Sequence, residues 1–361
     1  MSLAEPLKMP IGTASAVGAK GLYRKITRRK YLVLLVFATG LALSLLADVA
    51  IGPARLSLWE VARTIGSPGG ADATSRVIVW DIRMPMALMA IFAGVALSVA
   101  GAEMQTILNN PLASPFTLGI SSAAAFGAAL AIVAGVSVIP IAGVYLVTAN
   151  AFVFAMLASF LIYFLSSLRG VNVQTMVLLG IALTFLFGAL LALLEYVASE
   201  QTLQQVVFWG LGSLAKATWP KLGIGLGVLL VTVPLFAMQV WKLTSLRLGD
   251  EKAKSLGVNV ERLRLNVLIA TSVLAATAVS FVGVVGFVGL VGPHVARMLV
   301  GEDQRYFLPL SALAGALLLS VTSIVSKSIV PGVLVPIGII TSLVGVPFFL
   351  SLILSRRRLL W

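Results

Sequence analysis

The side chains that could do chemistry are few. Among 361 residues there is one histidine, His294, no cysteine, and only 13 acidic residues. A single imidazole cannot build a multi-histidine metal centre. Without thiols there is no disulfide, thiolate ligand or cysteine nucleophile. No G-x-x-x-x-G-K-[ST] run is present to cradle a phosphate. No catalytic or metal-ligating residue is therefore assigned, and His294 and Arg297 in "GPHVAR" read as structural. What stands out is acid in apolar company: Glu103 in "AGAEMQ", then Glu195 and Glu200 in "LEYVASE". An acid within lipid is costly, so it faces a bundle interior or a watery cavity. The other polar concentration is "SLRLGDEKAKSLGVNVERLR", Ser245 to Arg264, with eight charged residues of twenty in a chain that is 11% charged.

Helices in a bilayer must position these groups. The chain is 59% hydrophobic, with a mean hydropathy of +1.05, far above soluble domains. Apolar runs of membrane-spanning length are expected near 31–51, 85–106, 117–136, 141–166, 173–197, 222–242, 264–283, 285–300, 307–328 and 337–355. The fold expected is all-α and polytopic, with about ten transmembrane helices. The eighth run is short and glycine-rich, which predicts a partial crossing. The run from Tyr31 to Ile51 outlasts a signal-peptide core and has no A-x-A site after it, so it reads as a retained span. Residues 1–30 form a basic N-terminal segment, 31–355 one membrane domain, and 356–361 a basic tail.

With both termini cytoplasmic, 19 of the 26 basic residues fall inside and seven outside (Arg55, Arg63, Arg76, Arg83, Lys216, Lys221, Lys327). That asymmetry is the positive-inside rule. It accounts for the net charge of +13 without nucleic acid as a partner. Small residues in "GVALSVAGAEMQ" and "GISSAAAFGAALA" let backbones approach closely, suiting a compact bundle or a subunit interface.

Within the charged island, Asp250 is expected as a helix N-cap, Glu251 to Leu256 as a short helix, and Gly257 as its stop. Asn259 caps the next helix, with Glu261 in its first turn. A short polar helix outside the lipid suits docking to a soluble partner.

Four stretches in order, covering about Asp81 to Ile353, resemble the permease subunits of ABC importers for iron–siderophores, haem and cobalamin, the FecCD type. They are "RMP…GAEMQ…NNPLASP…LGISS", "LGDEKAKSLGV", "GFVGLVGPHVAR" and "PIGIITSLVGVPFF". The resemblance implies a type II ABC importer permease bundle in the bacterial inner membrane, working as a homodimer or paired heterodimer. Its partners would be cytoplasmic ATPase subunits, which carry ATP and Mg, and a periplasmic or lipid-anchored binding protein that delivers a metal chelate. This chain would bind no cofactor. By resemblance, Gly249, Asp250, Ala253, Leu256 and Gly257 form the coupling helix that meets the ATPase. Asn110 and Leu112 close the cytoplasmic gate. Ser199 and Glu200 fall on the translocation path; Glu103, where an apolar residue is usual, is expected either to line that path or to be buried near the cytoplasmic end, because an acid in lipid is costly. Arg83 and Lys327 would dock the binding protein. Met86 replaces the second Arg of R-x-P-R, Ser323 an Asp, Lys327 an Arg and Leu334 a Glu, so the docking surface departs from the family pattern.

The expected function is therefore the permease of an importer for ferric siderophores, with haem or cobalamin as alternative cargoes. An ion-coupled secondary transporter would need paired intramembrane acids. An intramembrane enzyme would need a clustered nucleophile and base.

Overall fold

The computed structural model describes residues 16–54, 56–136, 138, 143–168 and 172–355, and among these every regular element is a helix. Arg55, Arg169, the tail 356–361 and residues 1–15 of the N-terminal segment lie outside the described residues. The chain begins with α1 (Ala16–Ala50), α2 (Leu58–Gly66) and α3 (Ala73–Arg76). The helix continues through a π-helical stretch (Val77–Arg83) into α4 (Met84–Ile107). Next come α5 (Ile120–Ala134), α6 (Leu146–Leu168), α7 (Val173–Val197) and the short α8 (Glu200–Gly210). They are followed by α9 (Trp219–Ala237), α10 (Val240–Leu246) and α11 (Asp250–Ser255). The last four are α12 (Val260–Val282), α13 (Val288–Val300), α14 (Gln304–Ser328) and α15 (Ile337–Ser355).

Among the described residues, seven helices are long and apolar enough to cross a membrane, and α5, α13 and α15 are shorter apolar helices. Together they occupy the ten expected spans. At 13 residues, α13 reaches only about 20 Å, short of the ~30 Å hydrocarbon core, as its glycines foretold.

Three features differ from expectation. The first helix starts at Ala16, well upstream of Tyr31, so the basic residues from Lys20 to Lys30 ride on its extension. The second span is helical from Ala73. A π turn accommodates Pro85 by letting Met84 N–H reach Val79 O, so Pro85 does not mark a helix start. Helices α2 and α8 have no counterpart among the expected spans because both are short and lie in stretches that read as loops. Both are secured by local caps. Ser57 and Glu60 form a reciprocal capping box on α2, and Ser199 caps α8 by accepting from Thr202 N–H.

Helix α4 is the core. It is buried along most of its length against α12, α13 and α14. Glycines make that contact possible: a Cβ on Gly101 would fall on the Gly289 carbonyl, and one on Gly94 on the Gly315 carbonyl. The small residues of "GVALSVAGAEMQ" thus face inward between helices of the same chain.

Cross-helix contacts define two ends. At one, Lys30 lies over the Tyr306 ring, Arg264 reaches Ile107 O, and Thr244 meets Gln304. We call this the Asp250 end. At the other, Lys327 pairs with Asp48, Trp219 donates to Trp80 O, and Ser213 N–H donates to Val282 O. This is the Lys327 end.

Candidate functional site

The Asp250 end is built around the polar hairpin. Gly249, at φ 93°, holds the N-cap of α11, a conformation open to glycine and strained for other residues. Asp250 is consequently the first helical residue and not the cap. Its carboxylate instead receives both terminal nitrogens of Arg264, each at 2.8 Å. Arg264 Nε donates to Ile107 O at 2.8 Å, so one nearly buried guanidinium ties α11 and α12 to the last turn of α4. Helix α11 stops as expected. Gly257, at φ 81°, donates to Lys254 O, and Val258 N–H donates to Ala253 O, closing a Schellman motif.

Of the five expected coupling residues, Leu256 is 65% exposed, while Ala253 is fully buried and faces the core. Asp250 is tied to Arg264, and Gly249 and Gly257 shape the two ends of the helix. Asn259 caps α12 by accepting from Arg262 N–H at 2.9 Å.

Immediately after α4, Asn109 takes a left-handed φ of 41° and Asn110 Oδ1 accepts from Leu112 N–H at 2.9 Å. This Asx turn presents Leu112 to solvent beside the Ile107–Arg264 contact. The two expected gate residues are thus brought together at the end that carries the hairpin.

Glu103, one turn back along α4, is fully buried, and neither carboxylate oxygen has a hydrogen-bond partner. Of the two positions expected for it, an open path or burial near the end of the span, the structure shows the second: it is sealed in the core and interacts electrostatically with Arg247. Arg247 Nη1 lies 3.4 Å from Glu302 Oε1, and Arg297 Nε lies 3.0 Å from the same oxygen. Burial pushes the Arg247 guanidinium below its usual value, opposed by Glu302 and Glu103. Arg297 also donates to Gln105 Oε1 at 2.8 Å, and Gln304 donates to Thr106 Oγ1 at 2.9 Å. Nearby, hydrogen bonds from Arg305 hold Asp303 below the usual carboxylate range. Sequence reading set Arg297 aside as structural and had Arg247 only as one of the inside charges. The signal was present in the charged island, but the partner acids lie far away along the chain.

Arg83 and Lys327, expected on the outer surface, are turned inward. Arg83 donates to the carbonyls of Val49 (3.1 Å), Ala50 (2.7 Å) and Ala54, closing the C-terminal end of α1. Lys327 Nζ meets Asp48 Oδ1 at 2.7 Å, with Ser323 Oγ donating to the same oxygen at 2.9 Å. The carboxylate missing at Ser323 is thereby supplied from α1, and both charges are spent within the chain. Replacing Lys327 by Met strands a buried carboxylate, an expected loss of roughly 3–5 kcal/mol. The Asp48→Asn/Lys327→Met pair should recover most of it. Thermal unfolding midpoints in detergent measure both, and equal midpoints for the single and double variants would contradict the pairing.

Ser199 caps α8 and Glu200 is exposed beside it. Near them, at the Lys327 end, is a cavity of about 780 Å³ whose lining includes Gln204, Gln205, Trp209, Lys216, Lys221 and Tyr145. Neither Ser199 nor Glu200 lines it. The polar run "EQTLQQ" and the pair of lysines in "KATWPK" were the sequence signal for this cavity. No group of three or more acids or histidines that could hold a metal ion occurs among the described residues.

Residues 39–355 match the FecCD transport family. The chain is 39% identical over 319 residues to the hemin transport system permease of Yersinia pestis, covering 88% of this chain and 95% of that protein. It is 33% identical over 341 residues to the Fe(3+)-citrate import system permease of Bacillus subtilis, covering 93% and 99%. Its fold matches a metal-chelate type ABC transporter solved in an inward-facing conformation, with a TM-score of 0.78, 32% identity, and coverage of 90% of this chain and 99% of that one.

Proposed function

The chain belongs to the FecCD transport family, the permease class of metal-chelate ABC importers, and we propose that its own cargo is a ferric chelate of the siderophore type. The observation that carries the coupling part of this reading is the rigid polar hairpin at the Asp250 end. It has a glycine at each end, its Asp250–Arg264–Ile107 clamp leads into the core helix, and Leu256 is left for a partner. In this reading the ATPase subunits, which bind ATP and Mg, press on α11. The clamp then carries the movement to α4 and so to the Asn110–Leu112 turn. The chain hydrolyses nothing itself and needs no cofactor of its own.

The Asp250 end faces the cytoplasm in this proposal. That places Lys30, Arg247, Lys252, Lys254, Arg262, Arg264, Arg297 and Arg305 inside, as the positive-inside rule requires. The Lys327 end then meets the periplasmic or lipid-anchored binding protein. Because Arg83 and Lys327 are occupied, exposed Arg63 and Arg76 on α2 and α3 are the better docking charges. The apolar outer faces of α7 and α15, with Phe185, Tyr196, Leu343 and Leu354 exposed, suit a second permease, identical or related. Two relatives are named for haemin and Fe(3+)-citrate, which supports an iron-bearing cargo. Lys216 and Lys221 at the cavity suit an anionic ferric chelate better than a largely neutral corrinoid.

The test is uptake by proteoliposomes holding the permease, its ATPase and its binding protein, offered a ferric catecholate, ferric citrate, haem or cobalamin. ATP-dependent uptake of the ferric chelates is expected. Uptake of haem or cobalamin alone would overturn the cargo. Uptake without ATPase or binding protein would establish an ion-coupled transporter instead.

A further inference from the structure

The charges around the end of α4 are paired unevenly. Two guanidiniums, Arg247 and Arg297, approach the same oxygen of Glu302, at 3.4 and 3.0 Å. A second acid whose field Arg247 feels, Glu103, is sealed in the core with neither oxygen hydrogen-bonded. Arg247 in turn keeps Nε and Nη2 buried and without hydrogen bonds. Two cations thus crowd one acid while another acid stays dry. A buried carboxyl group without hydrogen bonds is unfavourable whether or not it is ionised, so this arrangement is held by the surrounding helices and not by its own electrostatics.

Re-pairing removes the mismatch. If Arg247 moves onto Glu103, Arg297 keeps Glu302, and the dry carboxyl gains a partner. The element that would make the move is the one already expected to be pushed. Arg247 lies just before Gly249 and Asp250, at the C-terminal end of α10. Glu103 sits on α4, one turn before Ile107. A displacement of the hairpin against α4 therefore changes the Arg247–Glu103 separation directly. Glu302, 43% exposed, can trade its lost contact for water, whereas Glu103 cannot.

We propose that Arg247 is a two-position ionic latch, shared with Arg297 on Glu302 in the conformation seen here and paired with Glu103 when the hairpin is driven inward. Both are positioning residues, and the latch links hairpin position to α4 and to the Asn110–Leu112 turn. It rests on the importer reading above and adds to it a specific pair of residues.

The absence of native cysteine allows a direct test. Glu103→Cys/Arg247→Cys in the full permease–ATPase complex is treated with a short bifunctional thiol reagent, without nucleotide and after ATP–vanadate trapping. Because the cysteines replace the latch pair itself, the yield reads the movement the latch requires: a change of about three-fold or more between the two states supports that movement, and equal yields overturn the latch. This readout needs no cargo, so an error in the assigned chelate leaves it intact. Failure of the chain to assemble with an ATPase would instead sink the importer reading itself.

Function supplies the second arm. Glu103→Gln and Arg247→Met should each lower the cargo imported per ATP hydrolysed by about five-fold. The exchange Glu103→Arg/Arg247→Glu should regain part of that loss, which a merely structural role would not. An unchanged ratio in Glu103→Gln, in complexes that assemble as wild type, or an exchange no better than the single variants, would also overturn it.

Discussion

Asp250→Arg is expected to leave a folded, membrane-inserted protein that no longer couples ATP hydrolysis to uptake. Asp250 accepts both terminal nitrogens of Arg264, while Arg264 Nε holds the Ile107 carbonyl. With arginine at 250 two guanidiniums face each other, and the hairpin loses its rigid connection to α4. Breaking a sealed ion pair costs about 3–5 kcal/mol, but the Asp250 side chain is 43% exposed and water screens part of that. A loss near 2 kcal/mol is the reasonable scale. It lies well inside the roughly 5–15 kcal/mol that keeps a domain folded, so the helices stay inserted. The same 2 kcal/mol, applied to the position of the hairpin, would shift its docked-to-displaced ratio by about 30-fold. Uptake should fall at least about ten-fold, with milder loss in Asp250→Asn, which keeps one acceptor and no repulsion. Arg264→Lys should also be impaired, because a point charge cannot hold two carboxylate oxygens and a carbonyl in one plane. Wild-type uptake by a well-inserted Asp250→Arg variant would remove the clamp from the mechanism.

How much of this was legible beforehand depended on whether the signal was local. Span positions come from runs of apolar residues, and they agree with the helices to within about five residues except at the starts of the first two, which extend 15 and 12 residues upstream as more polar helix. The α11 stop at Gly257 and the cap at Asn259 are local backbone chemistry, visible in "SLGVNV". Pairings between distant helices were not visible. Asp48 closes the first apolar run and meets Lys327 across 279 positions. Nothing in the chain links the two, because helices apolar on every side give no face to align. The same blindness placed Arg83 and Lys327 at the surface and left Glu103 undecided between an open path and the core. A charge near a span end reads as solvated until a neighbouring helix is seen to offer carbonyls or a carboxylate. The hairpin was misread at one residue for a related reason. Asp is a good cap, but Gly249 takes that position at positive φ, freeing Asp250 for Arg264.

Gly101→Val should be the most damaging single change in the core. Gly94, Ser98 and Gly101 share one face of α4, against Gly289 and Gly292 of α13 and Gly315 of α14. Side chains added there do not meet flexible ends that can swing away. The Gly101 Cβ would meet the backbone of Gly289, and α13 is itself tied to α4 through Arg297 and Gln105. Overpacking against mobile side chains costs about 1–3 kcal/mol; against backbone on a neighbouring helix the loss should reach or exceed the top of that range. The expected result is low yield and a broadened elution profile in detergent, with uptake lost because α13 cannot seat. Gly227→Ala is the matched control. Nothing lies within 4 Å of its Cβ, and alanine is the better helix former by about 1 kcal/mol, so stability should hold or rise slightly. Indistinguishable unfolding midpoints for the two variants would mean that α4 and α13 do not touch through their backbones. The ion pairs at the Asp250 end would then lose the rigid seat on which hairpin, core helix and gate turn are argued to move together.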